Sequence, residues 1–518
     1  MRNKNLVFGV AVLLFIGLVI YNIVVVFDFA GKYIYPLDDA YIHLSIAKNF
    51  AEFGMWGITP YEFSSTTSSP FFTLLLSILI KIFGNWEYLP VVLNVLGSIC
   101  LLLILRNYLS RYSLITYFLV LIGVVLLVPL HLNALVGMEH ILHALTLILC
   151  LIYFQKYILD GSWTNFLYLV LYSILATGFR YESLFFIFFM CVYLFFIQRK
   201  YVNSFVLGLL AISPVIIYGL ISMQQGSFFL PNSLVLKGNT NDGILGFVMR
   251  VAGNGYRALS VLFLVIILIV YLFQYLKNSF KAKGLKEIAV PLVVFAGFSI
   301  HLLFANFGWL LRYEAYLVVV ILFAVAPFLE ATFQKSSAKS ILKYLVLALL
   351  LVSFSMRFIP MLKYQKIASK NIFDQQIQLS NFLHEYYSNS YVIANDIGAI
   401  TYFNTIHLLD TYGLGSIEVA KLREKDHGNF TDNKPLQDYI QKMAEGGRYE
   451  VAMVYEHWVK MPSTFVKVGA LEIKNNYISG GNVVSFYVTK QEDVDKIKNQ
   501  LREFSKKVPK DVMITTVD

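Results

Sequence analysis

The chain has 518 residues, 58% hydrophobic and only 14% charged, which excludes an ordinary soluble enzyme or a disordered tether and points to a bilayer. Lysine and arginine exceed aspartate and glutamate by 42 to 32, a net charge of +10. No helix-turn-helix, zinc knuckle or basic run accompanies that excess, so cytoplasmic loops explain it better than nucleic acid. The cysteines Cys100, Cys150 and Cys191 sit in apolar runs and can build neither a disulfide framework nor a metal cluster.

The N-terminus reads MRNKN and then roughly twenty apolar residues, Leu6–Phe27, longer than a signal-peptide core and without a small-x-small cleavage site, which predicts an uncleaved first span. Further runs long enough for about 30 Å of hydrocarbon cover Tyr88–Leu105, Ser113–His131, Met138–Tyr157, Asn165–Thr177, Ser183–Ile197, Val202–Ser222, Arg257–Leu276, Ile288–Ala305, Leu311–Ala331 and Ile341–Met356, about eleven spans in all. Pro70–Phe83 is too short to be assigned by length. If Arg2 and Lys4, Arg106 and Arg111, Lys156, Arg199 and Lys200, the Lys277–Lys286 cluster, and Lys335 and Lys339 are cytoplasmic, the loops alternate only when Pro70–Phe83 does not cross. The N-terminus is then inside. Outside lie the loop Lys32–Ser69, the segment His131–Glu139, the loop Met223–Tyr256 and everything after Arg357.

From about Pro360 the pattern becomes mixed and charged. An amphipathic stretch near Phe373–Tyr387 precedes the strand-like YVIAND, a turn at Gly398, a strand near Ile406–Leu409 and a helix over Leu436–Ala444. Strand-like VAMVY, VGALEI and VVSFYVT follow, with a closing helix near Glu492–Lys506. The expected organisation is a transmembrane domain over 1–359, with its outer loop 32–69, and an extracytoplasmic α/β domain over 360–518.

The informative residues are polar ones beside apolar runs. Asp38 and Asp39 follow a membrane exit directly, and two adjacent carboxylates there need a cation, a metal or a proton. One reading makes them an N-cap for a helix over Ala40–Phe50; the other gives a general base that accepts a hydroxyl proton. Glu139 with His140, Arg180 with Glu182, and Arg312 with Glu314 each stand at a span end, where a charge needs a cavity or a partner. Arg180 could simply pair with Glu182 or Glu139, and His131 and His140 alone signal little. In FFLPNSLVLKGN, Pro231 and Asn232 mark a turn and Lys237 returns a cation toward the membrane surface, either as a snorkelling lysine or to meet an anionic head group. The run Ser64–Ser69 reads as a cap for the helix that follows, with hydrogen bonds to a phosphate or sugar the less favoured alternative. NDIG and DTYGL read as strand-turn punctuation, with a glycan-facing role for Asp396 the less favoured alternative.

Taken in order, DDAYIHLSIAKNFAEFG, TSSP, GMEH, ATGFRYES, LPNSLVLK, LLRYEAYLV, NDIGAITYF and DTYGL resemble the polytopic GT-C glycosyltransferases, and among them the terminal arabinofuranosyltransferases of mycobacterial arabinan and their bacterial relatives. The resemblance implies an all-α membrane domain of GT-C type followed by a soluble α/β domain. It sets Asp38 at the position of the catalytic base, and Asp39, Lys237 and Arg312 at lipid-phosphate or metal positions. Where the family often has proline after the arginine of the sixth span, Tyr181 follows Arg180 here.

The expected activity is inverting transfer of a sugar, arabinofuranose or another pentose or hexose, from a polyprenyl-phosphate donor to a cell-envelope glycan, glycolipid or protein. Asp38 or Asp39 would act as base, and His43, Glu139, Arg180, Glu182, Asn232, Lys237 and Arg312 would bind substrate. A divalent cation, if one is used, would sit on Asp38 and Asp39. The expected location is a bacterial cytoplasmic membrane. A lipid-linked-glycan flippase is one alternative, opposed by the lack of inverted repeats; an O-antigen-type ligase or polymerase is another.

Overall fold

A computed structural model of the chain describes residues 2–238, 243–278, 284–334, 341–425 and 433–517. It divides into two compact units, one of Met1–Asn22, Val91–Ile216 and Phe247–Tyr364, the other of Ile23–Pro90, Ile217–Gly246 and Gln365–Asp518.

Each of the eleven apolar runs contains a helix. Seven are long and apolar enough to cross a membrane: Arg2–Ala30, Leu89–Leu109, His140–Asp160, Tyr201–Gln224, Leu259–Lys277, Ala315–Gln334 and the helix that begins at Ile341. The other four runs form shorter apolar helices, Leu114–Leu127, Trp163–Phe179, Ser183–Ile197 and Ala289–Phe304, and Pro70–Phe83 is a fifth short one. These helices present large apolar side chains outward, Leu13, Phe196 and Phe205 among them, as expected of a surface that meets lipid. The fold is thus a polytopic helical membrane domain with a C-terminal α/β domain. Composition changes near Pro360, yet the helix Ile341–Ile372 runs through that proline without a break.

In the second unit six strands form one sheet: β1 Tyr391–Ala394, β2 His407–Asp410, β3 Tyr449–Val454, β4 Val466–Ile473, β5 Val483–Val488 and β6 Val512–Thr516. Their order is β2-β1-β3-β5-β4-β6. The first three are parallel, and β5, β4 and β6 continue antiparallel. Alternation along β1 separates two cores. Val392 and Ala394 join Ile42, Ile46, Phe382, Phe486 and Leu501 on one face, while Ile393 joins Leu409, Leu436 and Ile440 on the other. The apolar side of the helix Asp39–Phe53 therefore belongs to the core of the sheet, through Ile42 and Ile46.

Candidate functional site

The polar residues gather in two clusters, one in each unit. In the second unit, Asp38 occupies the N-cap position of the helix Asp39–Phe53, but its side chain makes no capping bond to that helix, which corrects the N-cap reading. It reaches instead to the end of β1. There the Gly398 N–H donates to Asp38 Oδ2 at 2.6 Å and the Ala399 N–H to Oδ1 at 2.8 Å. The turn expected at Gly398 is the start of a short helix, Gly398–Tyr402, so Asp38 caps a helix remote from it in the chain. Only glycine fits at 398, because a Cβ there would lie 2.2 Å from the Asp38 carbonyl oxygen. Lys48 Nζ donates to the Tyr402 carbonyl at 2.7 Å, and Ser45 Oγ lies 3.0 Å from Thr401 Oγ1.

The second carboxyl of this cluster is Asp396. Its charge bears on Asp38, and its Oδ2 accepts from Gln376 Nε2 at 2.6 Å and lies 3.0 Å from the Tyr455 hydroxyl. Gln375 and Gln376 belong to a π-turn, Phe373–Ile377, and both lie within hydrogen-bond distance of the Tyr455 hydroxyl, at 2.6 and 3.0 Å. A wider turn of this kind is frequent at functional sites. Burial raises both carboxyls above the usual carboxylate range, and the charge of Asp396 pushes Asp38 further while the two backbone N–H groups pull it back. Asp396 had been read first as punctuation; its partnership with Asp38 is a long-range pairing that local pattern does not carry.

The neighbouring polar residues of this unit are engaged within the chain. His43 Nδ1 lies 2.8 Å from Thr73 Oγ1 and 3.3 Å from Thr67 Oγ1, with Phe72 edge-on. Asn232 is fully buried; its Nδ2 donates to the Leu414 carbonyl at 3.0 Å, its Oδ1 accepts from Ser227, and its N–H donates to the Ser65 carbonyl. It thereby ties three connecting segments together. Ser69 makes no side-chain cap, contrary to the expectation, and Thr66 donates to Leu414 at 2.8 Å. Asp410 closes the DTYGL turn by accepting from the Tyr412 and Gly415 N–H groups at 2.8 and 2.7 Å, and burial pushes it up to about 6. Asp39 is half-buried. The side chain of Lys237 lies outside the described residues.

Among the described residues no group of three or more histidine, cysteine, aspartate or glutamate side chains is placed to hold a metal ion. No step is derived through a metal.

In the first unit Arg180 is spent on two acids. Its Nη1 donates to Glu139 Oε1 at 2.6 Å, its Nε to Glu182 Oε2 at 3.1 Å, and its Nη2 pairs with Glu182 Oε1. The ion-pair alternative for Arg180 is therefore the one the geometry realises. Arg312 lies beside this group, against the Met138 sulfur, with Nη2 donating to the Tyr313 hydroxyl at 3.1 Å. The Tyr313 ring carries both guanidinium groups, Arg312 at 4.8 Å and Arg180 at 5.7 Å. Glu314 pairs with Arg357, 3.4 Å away, where neither side chain is exposed.

Residues 370–488 match a family described as a domain of unknown function, DUF8728. No curated protein matches the chain in sequence. Among solved structures, the chain is similar to the oligosaccharyltransferase AglB of Archaeoglobus fulgidus in complex with an inhibitory peptide and a dolichol-phosphate, with 13% identity, a TM-score of 0.50, and coverage of 99% of this chain and 75% of that one. The oligosaccharyltransferase of the same organism in complex with Zn and sulfate is similar at 13% identity and a TM-score of 0.50, over 98% of this chain and 74% of that one. The likeness extends over nearly the whole chain and shows a shared fold with these oligosaccharyltransferases.

Proposed function

We propose that the protein is an integral membrane glycosyltransferase that moves a sugar from a polyprenyl-phosphate donor to a glycan, glycolipid or protein acceptor on the outer side of a bacterial cytoplasmic membrane. The observation that carries this reading is the pair Asp38 and Asp396: a buried and a half-buried carboxyl, both raised above the usual range, between the first inter-helix loop and the α/β domain, in a chain with a fold like that of an oligosaccharyltransferase. A carboxyl held above its usual range is a stronger proton acceptor than a solvated aspartate. In the proposed step the acceptor hydroxyl oxygen attacks the anomeric carbon with inversion, the bond from that carbon to the phosphate oxygen breaks, and the hydroxyl proton passes to Asp38. The phosphate leaves with its negative charge and needs no general acid.

Lys237 is the cation proposed for that phosphate, and the sequence resemblance proposes Arg312 as a phosphate-binding residue as well. Arg180, Glu139 and Glu182 then fix the surroundings of Tyr313 and Arg312, while His43 and Asn232 hold the loops around the acids. Asp39 is the alternative base. Arabinofuranose is the donor sugar suggested by the sequence resemblance. Transfer of a whole glycan from a lipid-linked donor is the second reading, favoured by the likeness to an oligosaccharyltransferase solved with a dolichol-phosphate. Purified protein incubated with a panel of polyprenyl-phosphate sugars, and separately with polyprenyl-diphosphate glycans, tests both: release of polyprenyl phosphate supports the first reading and release of the diphosphate the second.

A further inference from the structure

The segment that leads into Arg312 has an unusual backbone. Gly308, Trp309, Leu310 and Leu311 have φ values of 93°, 46°, 62° and 59°, four consecutive left-handed residues of which three carry a Cβ. Such residues occur singly, because each one other than glycine costs conformational energy, and a run survives only where its surroundings over-determine it. Here they do. The Gly308 N–H donates to Glu314 Oε2 at 2.9 Å, so Glu314 closes the turn from its far side. His301 Nε2 lies 3.1 Å from the Asn306 carbonyl oxygen, and Asn254 Nδ2 donates to the Ala305 carbonyl at 2.9 Å, which fixes the entry to the turn. Phe307 and Leu310 are buried.

Glu314 is held in its turn by Arg357. Besides the 3.4 Å pair, Arg357 Nη1 donates to Ser260 Oγ at 3.1 Å and Nε to the Leu127 carbonyl at 2.5 Å. Both Glu314 and Arg357 are fully buried among apolar helices. A buried ion pair adds little net stability over an apolar pair of similar volume, so the pair calls for a geometric explanation. Strain and buried charge meet at one product, the placement of Arg312 directly after the turn.

We infer that Glu314 and Arg357 are positioning residues that hold the left-handed turn Gly308–Leu311 and thereby set Arg312 to receive the phosphate of the lipid donor. The inference rests on the proposed role of Arg312 and deepens it. It makes donor affinity depend on residues that need not touch the donor.

The test is equilibrium binding of undecaprenyl phosphate to the full-length protein in mixed micelles, with thermal stability measured without lipid. Gly308→Ala is the cleanest variant. A Cβ at 308 meets nothing within 4 Å, so the change acts through the left-handed backbone alone. It should weaken binding about fivefold or more, beyond the modest loss of thermal stability that the strained backbone itself brings. Gly161→Ala, also at positive φ in the same unit and facing only an ordinary contact with Lys200, should leave binding unchanged. Glu314→Gln should weaken binding about tenfold, raising the donor KM while kcat at saturation is retained, and Arg357→Lys should keep more affinity than Arg357→Gln. If Arg312→Ala does not weaken binding, the phosphate reading itself falls. If Arg312→Ala weakens it while Gly308→Ala binds like the parent, the positioning inference alone is overturned; Gly308→Ala decides the matter even where Glu314→Gln does not fold.

Discussion

The Gly398 N–H donates to Asp38 Oδ2 at 2.6 Å, although Asp38 follows the first membrane helix and Gly398 follows the first strand of the C-terminal sheet, and the charge of Asp396, two residues before that glycine, raises the Asp38 pKa. Two consequences follow for pH. With Asp38 as base, turnover is lost as pH falls through its raised pKa, so the acid limb of kcat/KM lies above the value of about 4 expected of an ordinary aspartate. Asp396→Asn removes the neighbouring charge, lowers the pKa of Asp38 and moves that limb to lower pH. A pH–rate profile whose acid limb does not move in Asp396→Asn assigns the titration to another group.

Gly398→Ala tests the close approach that makes this pairing available. The added Cβ would lie 2.2 Å from the Asp38 carbonyl oxygen and 2.6 Å from Oδ2, and backbone cannot yield cheaply. A loss of about 1–3 kcal/mol is expected. Gly446→Ala, where a Cβ meets nothing within 4 Å, should be close to neutral. Thermal unfolding of the two variants side by side separates a local collision from a general glycine effect.

Arg180→Ala should behave as a structural change. It leaves Glu139, which is fully buried, and Glu182 without their guanidinium partner, and breaking a buried pair in this way costs about 3–5 kcal/mol. Thermal stability without donor should therefore fall steeply. A variant that keeps its stability but loses binding of undecaprenyl phosphate would move Arg180 into the substrate site.

Much of the fold could be read from the sequence, because hydrocarbon thickness and strand alternation are local constraints. Every apolar run contains a helix, and β1 to β5 lie where YVIAND, Ile406–Leu409, VAMVY, VGALEI and VVSFYVT stand. Strand β6 was missed, being a short terminal segment that pairs with the distant β4. The site was legible in part. Asp38 stood out because a paired acid at a membrane exit is costly, whereas Asp396 had no such mark: its role comes from chain segments that only the folded sheet brings together. The left-handed turn before Arg312 left no trace either, since Trp309 and Leu310 fall between two apolar runs and Leu311 opens the second of them.

The proposed orientation puts Arg2, Lys4, Arg106 and Arg111 inside and the C-terminal α/β domain outside, so a reporter that works only outside the cytoplasm should be active when fused after Asp518. Activity of a cytoplasmic reporter at that position would contradict both the topology and an outer-face donor.

The most direct measurement is turnover by purified protein, scored as sugar transfer with release of polyprenyl phosphate, for the parent and for Asp38→Asn. The account predicts transfer by the parent from at least one polyprenyl-phosphate sugar. It predicts a loss of about two or more orders of magnitude in Asp38→Asn, the usual scale for removal of a positioned base, with donor binding retained. A folded Asp38→Asn variant that turns over like the parent would contradict the assignment of the base, and folded parent protein that releases polyprenyl phosphate from none of the donors would contradict the proposed reaction.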